Sequence, residues 1–409
     1  MSDSTDKRTA LTILQEFSIP LIAGVVLAVI WANVDPAGYE FVWGHHGWSP
    51  FGHHSHLNLH FLSNDIVMVF FFGIATKEIT EACLPGGPLN PPRKAVNPLM
   101  GTLGGVVGPI GVYFLMMVLL GDDRIARGWG IPTATDIALA WLVARLVFGN
   151  KHPAVSFLLL LAVADDAIGL GIIAVFYGDP NMPAEPLYLL MVLGGMLIAY
   201  GLRKRDVKSF WPYVLVCGAL SWAGLMLAHL HPALALVPIV PFMPSHGSDE
   251  GLFAPGESER HDDTLNRFEH FFKTPIDFGL LIFGLANAGV QFSSMGSATW
   301  AVLVALLVGK TVGIGVFSLG AAKMGFPLPT GMGAKEVLVA GMVAGLGLTV
   351  ALFVAGVAFT DGGMQGAAKM GALMSAGAAV LALLMAKILR IEKIEGEPLI
   401  AAVEAENSD

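Results

Sequence analysis

The feature that most constrains this chain is a run of apolar residues, 154–177, whose only charges are the adjacent pair Asp165 and Asp166. The run has the roughly 20 apolar residues that cross a bilayer as a helix. A carboxylate at bilayer depth costs roughly 2.5–3.5 kcal/mol even on lenient insertion scales, and intramembrane acids mark proton relays or cation sites. The pair therefore points to a membrane helix and to ion transport together.

The rest of the 409-residue chain repeats the apolar pattern. Twelve candidate spans lie near 12–32, 62–82, 96–120, 131–148, 154–177, 186–202, 209–229, 232–244, 275–292, 299–320, 336–358 and 369–390. The eighth is short and carries Pro232, Pro238, Pro241 and Pro244, which blur its limits. Only 13% of residues are charged, about half the share in soluble domains, so a soluble all-α fold is excluded. The expected fold is all-α and polytopic. A first group of spans fills 12–244, a cytoplasmic loop 245–274, a second group 275–390 and an acidic cytoplasmic tail 391–409. Lys7 and Arg8 precede an apolar stretch too long for the core of a signal peptide, so it reads as a retained first helix.

Lys and Arg set the orientation. One set of connections holds Lys7, Arg93, Lys151, the cluster Arg203 to Lys208, Lys273, Lys323 and Arg390, whereas the opposite set holds little beyond Arg124 and Arg127. Both termini are therefore expected in the cytoplasm. No basic patch invites nucleic acid, and Cys83 and Cys217 do not form a disulfide framework. The first outer connection contains His45, His46, His53, His54, His56 and His60. No acidic or cysteine partner completes a metal site there, so it reads as an exposed loop.

Other intramembrane charges extend the constellation. Successive helical residues project about 100° apart, so one aspartate can face an ion while its neighbour faces a partner. Lys310, the only charge in its span, is that candidate partner; it is flanked by too much apolar sequence to escape by snorkelling. Gly309-Lys310-Thr311 is not a phosphate loop, since position 304 is valine. Asp136 follows Gly130, Pro132, Thr133 and Thr135 inside the fourth span, which predicts an interrupted helix, and 344–349 predicts a second interruption in the eleventh. Unwound backbone is tolerated at depth only where it lines a cavity, and paired interruptions mark midplane sites in transporters built from inverted repeats. Helix N-termini carry partial positive charge and C-termini partial negative charge. If the two interrupted helices cross, Asp136 suits the paired N-termini and Lys310 the paired C-termini.

The stretches Ala134-Thr135-Asp136-Ile137-Ala138, Ala164-Asp165-Asp166-Ala167-Ile168-Gly169, Ala286-Asn287-Ala288-Gly289-Val290, Gly309-Lys310, and Gly345-Leu346-Gly347-Leu348-Thr349 with Phe353 together closely resemble the NhaA-type sodium/proton antiporter family. The resemblance implies twelve helices with two crossed and interrupted (spans four and eleven), a bacterial inner-membrane location and often a homodimer. It also implies export of one Na+ or Li+ against two H+, with no cofactor. By motif position, Asp165 and Asp166 match the essential pair; Thr135, Asp136 and Lys310 match the crossing residues, with sodium at Asp166, Asp165 and Thr135. Asp65 matches a supporting acid. Glu78, Glu269 and His270 fall among pH-responsive groups, and His231 matches a histidine near the end of the eighth helix. The chain departs from the family where 75–81 lacks two bases, where Lys273 replaces a histidine, and where the histidine-rich outer loop does not resemble the family's β-hairpin that joins protomers. These departures bear on the pH set-point and the dimer contact. Two other functions are compatible with buried aspartates in a membrane protein. A crossed-helix carrier of another cation or organic ion would not need the Lys–Asp pair, and an intramembrane aspartyl protease would show Gly-x-Gly-Asp and Tyr-Asp motifs that these aspartates lack.

Overall fold

A computed structural model describes residues 19–44, 58–85, 87, 89, 92–178, 183–245 and 263–394. His45 to His56, most of the loop at 245–274, and the tail beyond 394 lie outside the described residues. Among the described residues the structure is all-helical, with no strand. In chain order the helices are α1 (Ile19–Val34), α2 (Pro36–Trp43), α3 (Leu59–Cys83) and α4 (Pro92–Leu120). A 3-10 stretch (Asp123–Thr133) leads into α5 (Ile137–Phe148), followed by α6 (Pro153–Phe176), α7 (Leu189–Lys204), α8 (Tyr213–Leu227) and α9 (Thr264–Asn287). The last four are α10 (Ser297–Lys323), α11 (Ala334–Ala344), α12 (Thr349–Ala358) and α13 (Gly362–Leu389). Among the described residues six helices are long and apolar enough to cross a membrane, or eight if each bent pair is one span.

The eighth candidate span is not a helix. Residues 232–243 fold as two 3-10 turns, Pro232–Leu234 and Val240–Phe242. Each proline removes a backbone donor and clashes with the preceding turn, so no run of α-helical hydrogen bonds is sustained. The segment is nevertheless core: Ala233, Leu234, Ala235, Leu236, Ile239 and Val240 are all buried.

Two local features position the charges. First, α4 and α10 pack backbone to backbone through glycines. A Cβ on Gly104 would lie 2.2 Å from the Gly313 carbonyl oxygen, and one on Gly313 would lie 2.0 Å from that of Gly104. Small residues permit this approach in membranes, and Lys310 lies one turn before Gly313, so the contact draws it inward. Second, α3 and α10 each contain a π turn, at Leu62–Val67 and Ala305–Gly309. Such turns recur at functional sites; here one contains Asp65 and the other ends immediately before Lys310.

Candidate ion site

Both interruptions expected from the sequence are present, and they face each other. The 3-10 stretch and α5 are bent by 62° across 134–136, and α11 and α12 by 51° across 345–348. Gly and Pro weaken the helix at the first break, and the Tyr177 hydroxyl at the end of α6 anchors it, accepting from Gly130 N (2.8 Å) and donating to the Arg127 carbonyl (2.8 Å). The unwound groups then satisfy one another. Asp136 N donates to the Leu346 carbonyl at 2.7 Å. The Asp136 carboxylate accepts from Leu139 N (3.1 Å) at the start of α5, and from Thr349 N (3.2 Å) and Thr349 Oγ1 (2.9 Å) at the start of α12. Asp136 therefore caps two helix N-termini at once, where an anion is stabilised by their partial positive charge.

Asp165 and Asp166 project from the middle of α6. Asp165 is 0% exposed, as is Lys310. Lys310 Nζ donates to Asp165 Oδ2 and, at 2.7 Å, to Thr135 Oγ1. The Thr135 hydroxyl has the Asp165 carboxylate (2.8 Å) and the Ala344 carbonyl at the end of α11 (3.0 Å) as acceptors within reach. Thr135 thus links the first break, the second break and the charged pair. The Lys310 ammonium goes to Asp165 and Thr135, and Thr135 in turn reaches the Ala344 carbonyl at the end of α11.

Two carboxylate oxygens have no such partner. Asp165 Oδ1 and Asp166 Oδ1 are buried without a hydrogen bond among the described residues. Asp166 is 7% exposed. An uncompensated buried carboxylate oxygen is costly. Paired with a proton or a hard cation, which prefers oxygen ligands, the cost is offset. The residues present therefore fit an alkali cation as transported cargo.

The remaining candidates lie apart from this centre. Asp65 is half-buried, and its backbone carbonyl accepts from Trp222 Nε1 at 3.3 Å. Beside it, Asn64 and Asn287 bond side chain to side chain (Asn287 Nδ2 to Asn64 Oδ1, 2.9 Å), tying α3 to α9. Asn287, within the Ala286-Asn287-Ala288-Gly289-Val290 stretch, thus joins two helices. His60 lies 3.0 Å from the Asn64 amide. His231 caps the first 3-10 turn through Nδ1 (3.3 Å to Ala233 N) and packs edge-on against Phe353, ring centroids 4.7 Å apart.

The sequence reading missed Lys77. It is almost fully buried near the end of α3 and pairs with Glu81 (2.7 Å), Glu78 (3.5 Å) and, across on α9, Glu269. One base thus serves three acids in the segment that lacks two bases of the family pattern. Its spacing from Glu81, i to i+4, was the available signal. Glu269 is buried in this cluster, whereas His270 is exposed; successive helical positions separate the two.

A polytopic helical membrane protein with an ionisable centre between two facing helix breaks is the class these features define. The Na+/H+ antiporter 1 family profile matches residues 10–386, and the chain belongs to that family. It is similar to the "Na(+)/H(+) antiporter NhaA" of Geobacter metallireducens, 60% identical over 95% of this chain and 100% of that protein. It is also similar to those of Desulfitobacterium hafniense, 58% identical over 96% and 99% respectively, and of a Jannaschia species, 47% identical over 93% and 97%.

Proposed function

We propose that this Na+/H+ antiporter exchanges its ions at the centre built by Asp165, Asp166, Thr135, Asp136 and Lys310. The observation that carries the reading is the pair of orphaned carboxylate oxygens on Asp165 and Asp166 beside a buried, fully engaged lysine. Asp166 holds a proton in one state and Na+ in the other. Thr135 Oγ1 and unwound backbone carbonyls complete the ion's shell. Na+ arriving at the pair displaces the proton of Asp166 and weakens the attraction between Asp165 and Lys310. Lys310 then gives up a second proton. The site alternately carries one Na+ or two H+, so each cycle moves one net charge and export of Na+ is driven by the membrane potential as well as by the pH gradient. Li+, a smaller hard cation, uses the same ligands.

The finer architecture belongs to the same proposal. The chain has twelve spans, with the segment at 232–243 as the irregular eighth. Spans three to five and ten to twelve are inverted repeats, an arrangement for which this family is itself a type example. The protein sits in the bacterial inner membrane with both termini cytoplasmic, and works as a homodimer. Asp136 neutralises the facing N-termini, Asp65 supports the entry path, and no cofactor takes part.

The test is Na+-dependent dissipation of ΔpH in proteoliposomes across pH. Na+ and Li+ should both collapse the gradient. The rate should change when the membrane potential is clamped at different values; a potential-independent rate removes the two-proton count.

The Lys77 cluster gives the cytoplasmic response. Removing one partner of a buried ion pair costs about 3–5 kcal/mol, and Lys77→Met leaves three acids facing one another. The variant should melt several degrees earlier in detergent, Glu269→Gln should recover part of the loss, and the pH–activity curve should move. An unchanged curve in a destabilised Lys77→Met protein would confine the cluster, with Glu78 and Glu269, to a structural role. His270 and His231 are tested in the same assay.

A further inference from the structure

We propose that Ser375, on the last helix, is a positioning residue for Na+ binding. Helix α13 is interrupted by a 3-10 turn, Ser375–Gly377, and this turn abuts the break of the eleventh span. Ser375 is 0% exposed. Its hydroxyl oxygen accepts from Gly347 N (3.2 Å) and lies 3.2 Å from the Gly347 carbonyl and 2.6 Å from that of Ala372. A hydroxyl has one proton and two acceptor lone pairs. It can therefore receive the Gly347 N–H while donating either back into its own turn or to Gly347.

The backbone of the break shows why this contact matters. The Ala344 carbonyl is within reach of Thr135, the Leu346 carbonyl accepts from Asp136 N, and Thr349 N donates to Asp136. Those bonds join the two breaks to each other. The Gly347 N–H has no partner within that set, and Ser375 supplies one from outside it. Unwound backbone within the membrane must find such partners, and a buried donor left without one is costly. Gly347 is also held close on its other side: a Cβ there would lie 3.1 Å from the Ala134 carbonyl oxygen and 2.7 Å from a Leu306 methyl. The glycine thus sits between the first break and α10, and Ser375 fixes it along the remaining direction. The hydrogen bonds of Ser375 go to Gly347 and Ala372, not to the side chains of Asp165, Asp166, Thr135, Asp136 or Lys310. It acts by holding the peptides that hold Thr135 and Asp136.

The inference rests on the assignment of the paired breaks to the ion site. In proteoliposomes Ser375→Ala should raise the KM for Na+ about tenfold with little change in maximal rate. At a fixed, subsaturating Na+ concentration its activation should move to higher pH, because protons then compete against a weaker Na+ site. Ser375→Cys, nearly isosteric with a weaker donor and acceptor, should give a KM between the two. Ser221→Ala removes another fully buried hydroxyl, on α8, which makes no hydrogen bond among the described residues, and should leave the KM unchanged. Native KM and native pH profile in Ser375→Ala overturn the inference, as does an equal rise in KM in Ser221→Ala. If the alanine protein is not recovered folded, native KM in Ser375→Cys overturns it instead. Asp166→Asn, assayed alongside, separates the two claims. An inactive Asp166→Asn beside a native Ser375→Ala removes only the role of Ser375, whereas an active Asp166→Asn removes the site assignment beneath it.

Discussion

Asp166→Asn should reduce Na+-driven proton movement in proteoliposomes to the leak rate of protein-free vesicles. The amide keeps the size of the carboxyl but can neither take up and release a proton near neutral pH nor offer a full negative charge to Na+. Both halves of the exchange are lost in one change. The effect should persist at saturating Na+, since the missing property is charge and not affinity. Asp166 Oδ1 accepts no hydrogen bond among the described residues, so the substitution breaks little structure there and the protein should fold. Its melting temperature in detergent should lie close to that of the native chain. A folded Asp166→Asn protein that exchanges at the native rate would place the ion elsewhere, and Asp165 or Asp65 would be the next acid to test.

Lys310→Ala should produce the largest loss of stability. The ammonium is fully buried and bonded to both Asp165 and Thr135. Truncating one partner of a buried pair leaves the other charge uncompensated, at a cost of about 3–5 kcal/mol. Asp165→Asn alone strands the lysine in the same way. The double variant removes both charges and leaves a neutral amide that can still accept from Thr135. It should therefore melt above Lys310→Ala, although it remains inactive. The difference between the double variant and the sum of the singles measures the coupling. Strict additivity would mean that the two side chains do not interact in the membrane, and the release of the second proton would need another donor.

The charged centre was legible because membrane cost makes it so. Asp136, Asp165, Asp166 and Lys310 interrupt apolar runs, and a charge that lipid penalises stands out without any knowledge of its neighbours. The two breaks were legible for a related reason: Gly130, Pro132, Gly345 and Gly347 weaken helices at particular points along the chain. The same local logic overreached at 232–244, where apolar composition indicated a span but four prolines prevent the helix.

The sequence by itself determined the helical class, the positions of the two breaks and the identities of the charges at the ion centre, since each follows from side chains read against a lipid solvent. Only the tertiary structure decided the partners. That Lys77 reaches Glu269, that Asn64 meets Asn287, and that Ser375 clasps Gly347 depends on which helix faces connect, with sequence separations of up to 223 residues. Those faces are chosen by backbone approaches such as Gly104 against Gly313, where the absence of a side chain sets the distance. A hydrogen bond tolerates only a few tenths of an ångström, and no local pattern along the chain specifies a distance between helices to that accuracy.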